Sequence, residues 1–424
     1  MDEYDVIVVG AGFGGPVAAK KCADAGLKTL IVERSTKPGN KVISSCIVPF
    51  YGPLAGPEWI REGDPPIERT IYGLTHHFVR DGKVYFTSRF TLPIPMGHSL
   101  YCNPFCTWLT DKAVEAGSEL RLSTTATDII KEDGYVKGVV TDEGEELRSK
   151  ILIDSEGLQN FLAIKAGVRK KFIPEAIELC MLYDFEMPER DVDSVLQNHA
   201  EYYWSMPKEK MIAPVGQGSA VYIFPYKKSI HMTAGQFLKH DGKVANTSKL
   251  LDEYYDKFFK VDRWQELYEP KVKLRAKLWD TCPLYAGLFP EMLNMKSYGN
   301  GILVVGDAAG LEAAAIGDGV PNAWISADMA ADVAIEAIKS GDQSSEYLKR
   351  YEDKWRSNPL VQFTITSPFR RDLLKTQKNE GKMIRGVSEG WGLFMSDFVP
   401  MITRSMGPGS MEVIERLKDW GKKP

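Results

Sequence analysis

The stretch VIVVGAGFGG, residues 6–15, constrains this chain more than any other. Tyr4 to Val9 is a β-branched apolar run of the kind used by a parallel strand buried on both faces. Gly10, Gly12 and Gly15 follow in the spacing G-x-G-x-x-G, with Gly14 inside it. Such glycines serve a tight turn, close backbone approach to a pyrophosphate and close helix–strand packing. Gly14 to Ala25 then predicts a helix, with Pro16 tolerable in its first turn. Lys28 to Val32 predicts a second strand, closed by Glu33 and followed by Arg34. An acid at that strand end accepts hydrogen bonds from a ribose and argues against the 2′-phosphate of NADP. The unit is a dinucleotide site, and these residues alone leave FAD and NAD both open.

A second element lies far along the chain. GNGILVVGDAAG, residues 299–310, predicts another buried strand, Ile302 to Val305, ending at Gly306-Asp307. Gly317, Gly319 and an alanine-rich helical stretch, Val320 to Ile338, come after it. A strand-end acid beside a helix N-terminus suits a polyol hydroxyl and a phosphate or flavin carbonyl. An NAD site needs no such element. A flavin does, because its ribityl chain and ring extend well beyond the adenosine half.

Length and composition bound the rest. A chain of 424 residues suggests two or three folded units. With 44% apolar and 26% charged residues the composition is that of an ordinary globular protein, and a net charge of −4 gives no reason to expect nucleic acid. The six cysteines are scattered without a CxxC pair, so no metal or iron–sulfur site is expected and reduced thiols in a cytoplasmic setting are. No apolar run approaches the roughly 20 residues of a spanning helix, and the chain opens directly into a strand without room for a signal peptide.

Together these motifs resemble the FAD-dependent hydroxylase-type flavoproteins of the glutathione-reductase superfamily. ILIDSEGLQNFLAIKAG, residues 151–167, is similar to that group's strand–acid–glycine segment, with Glu156 and Gly157 at the acid and glycine positions. NKVISSCIVPFYG, residues 40–52, and VYIFP, residues 221–225, narrow the resemblance to the geranylgeranyl reductase and electron-transfer-flavoprotein:quinone oxidoreductase-like (Fix-type) branch. The resemblance implies an α/β fold with a discontinuous Rossmann-like FAD-binding domain on a parallel sheet, at 1–75, 98–170 and 290–345. An inserted α+β substrate domain on an antiparallel sheet is implied at 76–97 and 171–289, followed by a mostly helical C-terminal region at 346–424.

FAD is the implied cofactor. Gly10, Gly12, Gly14 and Gly15 would meet its pyrophosphate, and Glu33, with Arg34 beside it, its adenine ribose. Glu156 and Gly157 join the cofactor-binding set, Gly306 and Asp307 would take the ribityl side, and Gly317 and Gly319 the ring. Ser45 and Cys46 would lie against the isoalloxazine. Cys102 stands where the superfamily often has an arginine, and Lys41 reads either as the compensating cation or as an ordinary solvated loop lysine. Cys46 reads either as a thiol acting at the flavin or as a small semi-buried hydrophobe, and Tyr222 as the candidate general acid. Tyr202, Tyr203, Trp204, Tyr222, Phe224 and Tyr226 line an apolar tunnel or belong to ordinary core.

The implied activity is that of an FAD-dependent oxidoreductase passing hydride or electrons to or from an apolar acceptor, a quinone or an isoprenoid-type alkene. Its electrons would be exchanged with a nicotinamide or a carrier protein such as ferredoxin or electron-transfer flavoprotein. An aromatic-type FAD monooxygenase and an electron-relay subunit of a larger complex are the alternatives. GWGLFMSDFVPMITRSMG, residues 390–407, with Arg370-Arg371 and Lys422-Lys423, suits a peripheral contact at the cytoplasmic membrane face or a core or dimer contact.

Overall fold

The computed structural model describes residues 3–41, 45–205, 220–240, 243–244, 246–284, 286–315, 317–367 and 384–387. The first predicted strand forms at Tyr4–Val9 and runs through the middle of the larger sheet. It pairs in parallel with Glu146–Asp154 on one side and Thr29–Val32 on the other. Ile302–Val304 and Glu119–Arg121 extend the parallel set outward. The apolar side chains of the four inner strands are buried on both faces, as parallel pairing demands. Because these strands point one way, the Gly10 turn, Glu33, Asp154 and Gly306-Asp307 all emerge at one edge. In an open α/β sheet that edge is where ligands bind.

Two helices fix the edge. Gly15–Asp24 follows the glycine turn, and a Cβ on Gly15 would stand 1.9 Å from the carbonyl oxygen of Gly10. Val320–Ser340 crosses it where a Cβ on Gly14 would meet the Ala323 carbonyl oxygen at 3.2 Å. Lys21 ties the pair through Asp328 at 2.9 Å and Asp332 at 2.7 Å. The helices Ser345–Ser357 and Pro359–Thr366 dock beside them. There Tyr351 donates to the Val304 carbonyl at 2.9 Å and Trp355 to Ser297 Oγ at 2.9 Å.

The second sheet has seven strands, in the order Lys273–Cys282, Glu178–Glu186, Ser229–Phe237, Ala220–Pro225, His199–Ser205, Gly73–Arg80, Lys83–Thr91. All neighbours are antiparallel except His199–Ser205 with Gly73–Arg80. A hairpin forms at Ala220–Pro225 and Ser229–Phe237, with Lys227 and Lys228 in its turn. Alternation along His199–Ser205 sends Ala200, Tyr202 and Trp204 to one face and Glu201 and Tyr203 to the other. The second face is closed by the helices Thr247–Phe258 and Asp262–Leu267, whose Tyr255, Phe258 and Trp264 are buried against it. The first face stays open toward the edge of the parallel sheet.

The apolar stretch 390–407 and the pairs Arg370-Arg371 and Lys422-Lys423 lie outside the described residues. Among the described residues no helix is long and apolar enough to cross a membrane. All six cysteines are free thiols.

Candidate cofactor and substrate site

A continuous cavity of about 920 Å³ lies between the two sheets. The predicted residues Gly10, Gly12, Gly14, Glu33, Arg34, Cys46, Glu156, Gly157, Gly306, Asp307, Gly317 and Gly319 all line it. Gly15 packs behind the turn instead, and the Ser45 side chain lies outside the described residues.

The glycine turn has the shape of a cradle. Nothing stands within 4 Å of where a Cβ on Gly12 would sit, so the backbone is bare on its cavity side. The helix Gly15–Asp24 starts there without a side-chain cap, leaving first-turn N–H groups and the positive end of its dipole for an anion. Glu33 is held by backbone: Oε2 accepts from Ala11 N at 2.7 Å and Oε1 from Ser35 N at 2.8 Å. Glu33 lines the cavity beside the glycine turn. Arg34 donates to Gln159 Oε1 at 2.8 Å, and Glu156 accepts from Leu162 N at 2.7 Å, which fixes the loop after Asp154. Burial, and then the charge of Asp154, pushes the Glu156 carboxyl above the usual carboxylate range.

A second helix terminus meets the first. Val320–Ser340 begins at Gly319, where a Cβ would stand 2.7 Å from Asp307 Oδ1. Lys41 lies 3.8 Å from Asp307 Oδ2. Desolvation inside the cavity lowers the lysine, but the carboxylates around it, Asp307 foremost, outweigh that and hold it above its ordinary value. Cys46 shares a hydrogen bond with Cys102 and is buried, which together raise its thiol well above the ordinary value.

Two acids on the same loop carry no motif and escaped the sequence reading. Glu312 is 6% exposed with no hydrogen-bond partner for Oε2, and Asp318 offers Oδ1 to Val320 N at 2.8 Å. Burial raises both, with the charge of Asp307 adding to it, Asp318 to about 7 and Glu312 well above its ordinary value. Their signal in sequence was only their position, in the loop between Asp307 and Gly319.

The remainder of the cavity is apolar. Ile71, Leu74, Leu182, Tyr202, Trp204, Tyr222 and Phe224 line it. The rings of Tyr222 and Phe224 lie nearly parallel, 3° apart, with Tyr202 edge-on to Tyr222 at 4.6 Å. Trp204 spends its N–H on His76 Nδ1 at 3.0 Å, so its ring presents carbon to the cavity. Burial lowers His76 to about 3, which keeps it neutral and able to accept that bond.

Comparison with known proteins agrees with this geometry. Residues 5–202 match the family model described as FAD dependent oxidoreductase. A digeranylgeranylglycerophospholipid reductase of Methanopyrus kandleri is 30% identical over 371 residues, covering 83% of this chain and 82% of that protein. The chain belongs to the geranylgeranyl reductase family. The digeranylgeranylglycerophospholipid reductase of Methanocaldococcus jannaschii is 27% identical over 388 residues, 89% of each chain. Among solved structures, a geranylgeranyl bacteriochlorophyll reductase-like protein of Thermoplasma acidophilum shares the fold, with a TM-score of 0.67 and 19% identity over 95% of this chain and 100% of that one. Membership makes the chain an FAD-dependent oxidoreductase, and the bare Gly12 turn, the anchored Glu33 and the paired helix termini fit that cofactor. Since a methyl on Gly319 would push the Asp307 carboxylate aside, Gly319→Ala is expected to weaken FAD binding about tenfold, ~1.4 kcal/mol, in a titration of the apoprotein.

Proposed function

We propose that this protein reduces carbon–carbon double bonds of an isoprenoid chain, held in the aromatic half of the cavity. The observation that carries the proposal is continuity: one cavity joins Gly12 and Glu33 to Tyr202, Trp204, Tyr222 and Phe224. Both curated relatives described above are named as reductases of digeranylgeranylglycerophospholipid, which supports an isoprenoid alkene over a quinone as the acceptor. FAD held by the glycine turn, Glu33 and the paired helix termini would supply the hydride once reduced. The electrons reach it from a nicotinamide or from a carrier protein such as ferredoxin or electron-transfer flavoprotein. A lipid substrate also suits a peripheral position on the cytoplasmic membrane face.

The chain's own residues supply what else the reaction needs. The aromatic wall orients the polyprenyl chain and keeps water from the reacting carbons. A proton must reach the second alkene carbon, and Asp318 is placed to hold it. Val320 N fixes Oδ1, and burial raises the carboxyl to about 7, within reach of neutral pH. Tyr222 is the second proton-bearing group on the substrate wall. Alkene reduction is therefore expected to slow as pH rises through about 7. Asp318→Asn should remove that limb and cut turnover about 100-fold, read from rate-against-pH profiles. In stability the sign is the same. A carboxyl raised on folding contributes fully below its unfolded value near 4 and loses that contribution as pH rises through about 7.

The test is anaerobic photoreduction of the bound flavin followed by separate addition of a geranylgeranyl lipid, a quinone analogue, and oxygen with a phenol. Rapid reoxidation by the lipid is expected. Reoxidation by the quinone or a carrier protein alone, or efficient hydroxylation of the phenol, would replace this reading with a quinone reductase, a relay or a monooxygenase.

A further inference from the structure

We infer that Glu178, Cys180 and Cys282 form a site for one thiophilic divalent cation of the zinc class. The three residues come together by strand register. Glu178–Glu186 and Lys273–Cys282 are antiparallel neighbours, with Glu178 opposite Cys282 and Cys180 opposite Asp280. Residues two apart on one strand share a face, and so does the residue directly opposite. The carboxylate and the two sulfurs accordingly lie within 4.8 Å of one another on the cavity wall. A zinc ion with bonds of roughly 2.0–2.3 Å needs only small rotamer adjustments to bridge such a triangle.

Two further observations point the same way. Gly235, opposite Cys180 on the next strand, makes room for the carboxylate, since a Cβ there would stand 2.1 Å from Glu178 Oε1. From the facing loop comes Glu312, more than nine-tenths buried, with Oε2 unpartnered and its charge acting on Glu178 and Cys282. A buried carboxylate oxygen without a partner is costly, and a cation beside it removes the cost. Lys41 also acts on Glu312, yet Asp307 and Asp318 crowd the same carboxyl. A bound metal would take each cysteine as thiolate and release its proton. Two thiolates with carboxylate suit zinc, while calcium and magnesium require oxygen ligands throughout. Glu312 or a water completes the tetrahedron.

This site stands whether or not the alkene reading holds, and its test reads metal rather than turnover. The flavin-loaded protein, stripped with a chelator, is titrated with Zn²⁺ against a chromogenic chelator, and retained zinc is measured by elemental analysis. One equivalent is expected to bind. Glu178→Gln and each of Cys180→Ser and Cys282→Ser should weaken binding by about 10- to 100-fold at unchanged flavin content, while Cys22→Ser, in the helix behind the glycine turn, leaves it intact. Failure of the wild-type protein to retain zinc, or wild-type affinity in the Glu178 and single-cysteine variants, would overturn the site.

Discussion

Gly12→Val should give a folded but colourless protein. The position is bare within 4 Å of an added Cβ and lies outside the left-handed region, so a β-carbon meets no protein atom there and strains no backbone. Its methyl groups would instead fill the space that close approach of a pyrophosphate requires. FAD affinity is expected to fall by about 100-fold or more, ~2.7 kcal/mol, with little change in the melting of the apoprotein. Flavin absorbance per chain and thermal melts read the two effects separately. Gly15→Val offers the contrast. There a Cβ would sit 1.9 Å from the Gly10 carbonyl oxygen, so the turn itself must break and stability falls along with the cofactor. A yellow Gly12→Val protein at wild-type stoichiometry would place the cofactor elsewhere.

The second large effect belongs to Glu201, behind the substrate wall. Its carboxylate is 2% exposed and accepts from Tyr203 Oη at 2.6 Å, Tyr268 Oη at 2.5 Å and Arg263 Nη2 at 2.5 Å, with His77 Nε2 at 3.3 Å. Glu201→Ala strands two buried hydroxyls and a guanidinium, and is expected to cost about 4 kcal/mol in denaturant unfolding. Burial raises this carboxyl, but His77 and Arg263 outweigh burial and hold it at about 2. A depressed carboxyl stabilises the fold above its unfolded value near 4.3, and that contribution is lost as pH falls toward about 2. The wild-type protein should therefore lose stability across that acid window, and Glu201→Ala should lose less. Equal acid sensitivity in both would show that Glu201 is not the hub.

Much of this architecture was legible because local chemistry and global fold agree. The strands at Tyr4–Val9 and Ile302–Val304, the helices after Gly14 and Gly319, and the hairpin turning at Lys227 and Lys228 each carry a pattern that works over a few residues. Elements of that kind can be read from one sequence to within a residue or two. What escaped was set by pairing between distant strands. Glu178 and Cys180 sit two apart on one strand, but nothing near them in the chain announces Cys282 as their neighbour, because strand register creates that proximity. The same holds for Glu201, whose partners Arg263 and Tyr268 arrive from a helix closing the back of the sheet. Glu312 and Asp318 were invisible for another reason. An acid in a glycine-rich loop is ordinary until burial and the charge of Asp307 change its proton affinity.

The most direct test of the central claim, that one cavity serves both flavin and isoprenoid, is an anaerobic single turnover. Flavin-reduced protein is mixed with excess geranylgeranyl lipid, and the products are counted by mass spectrometry against the flavin reoxidised. The account predicts one saturated double bond per flavin oxidised, slowing as pH rises through about 7 and losing that dependence in Asp318→Asn. Reoxidation of the flavin with the lipid recovered unchanged would contradict it.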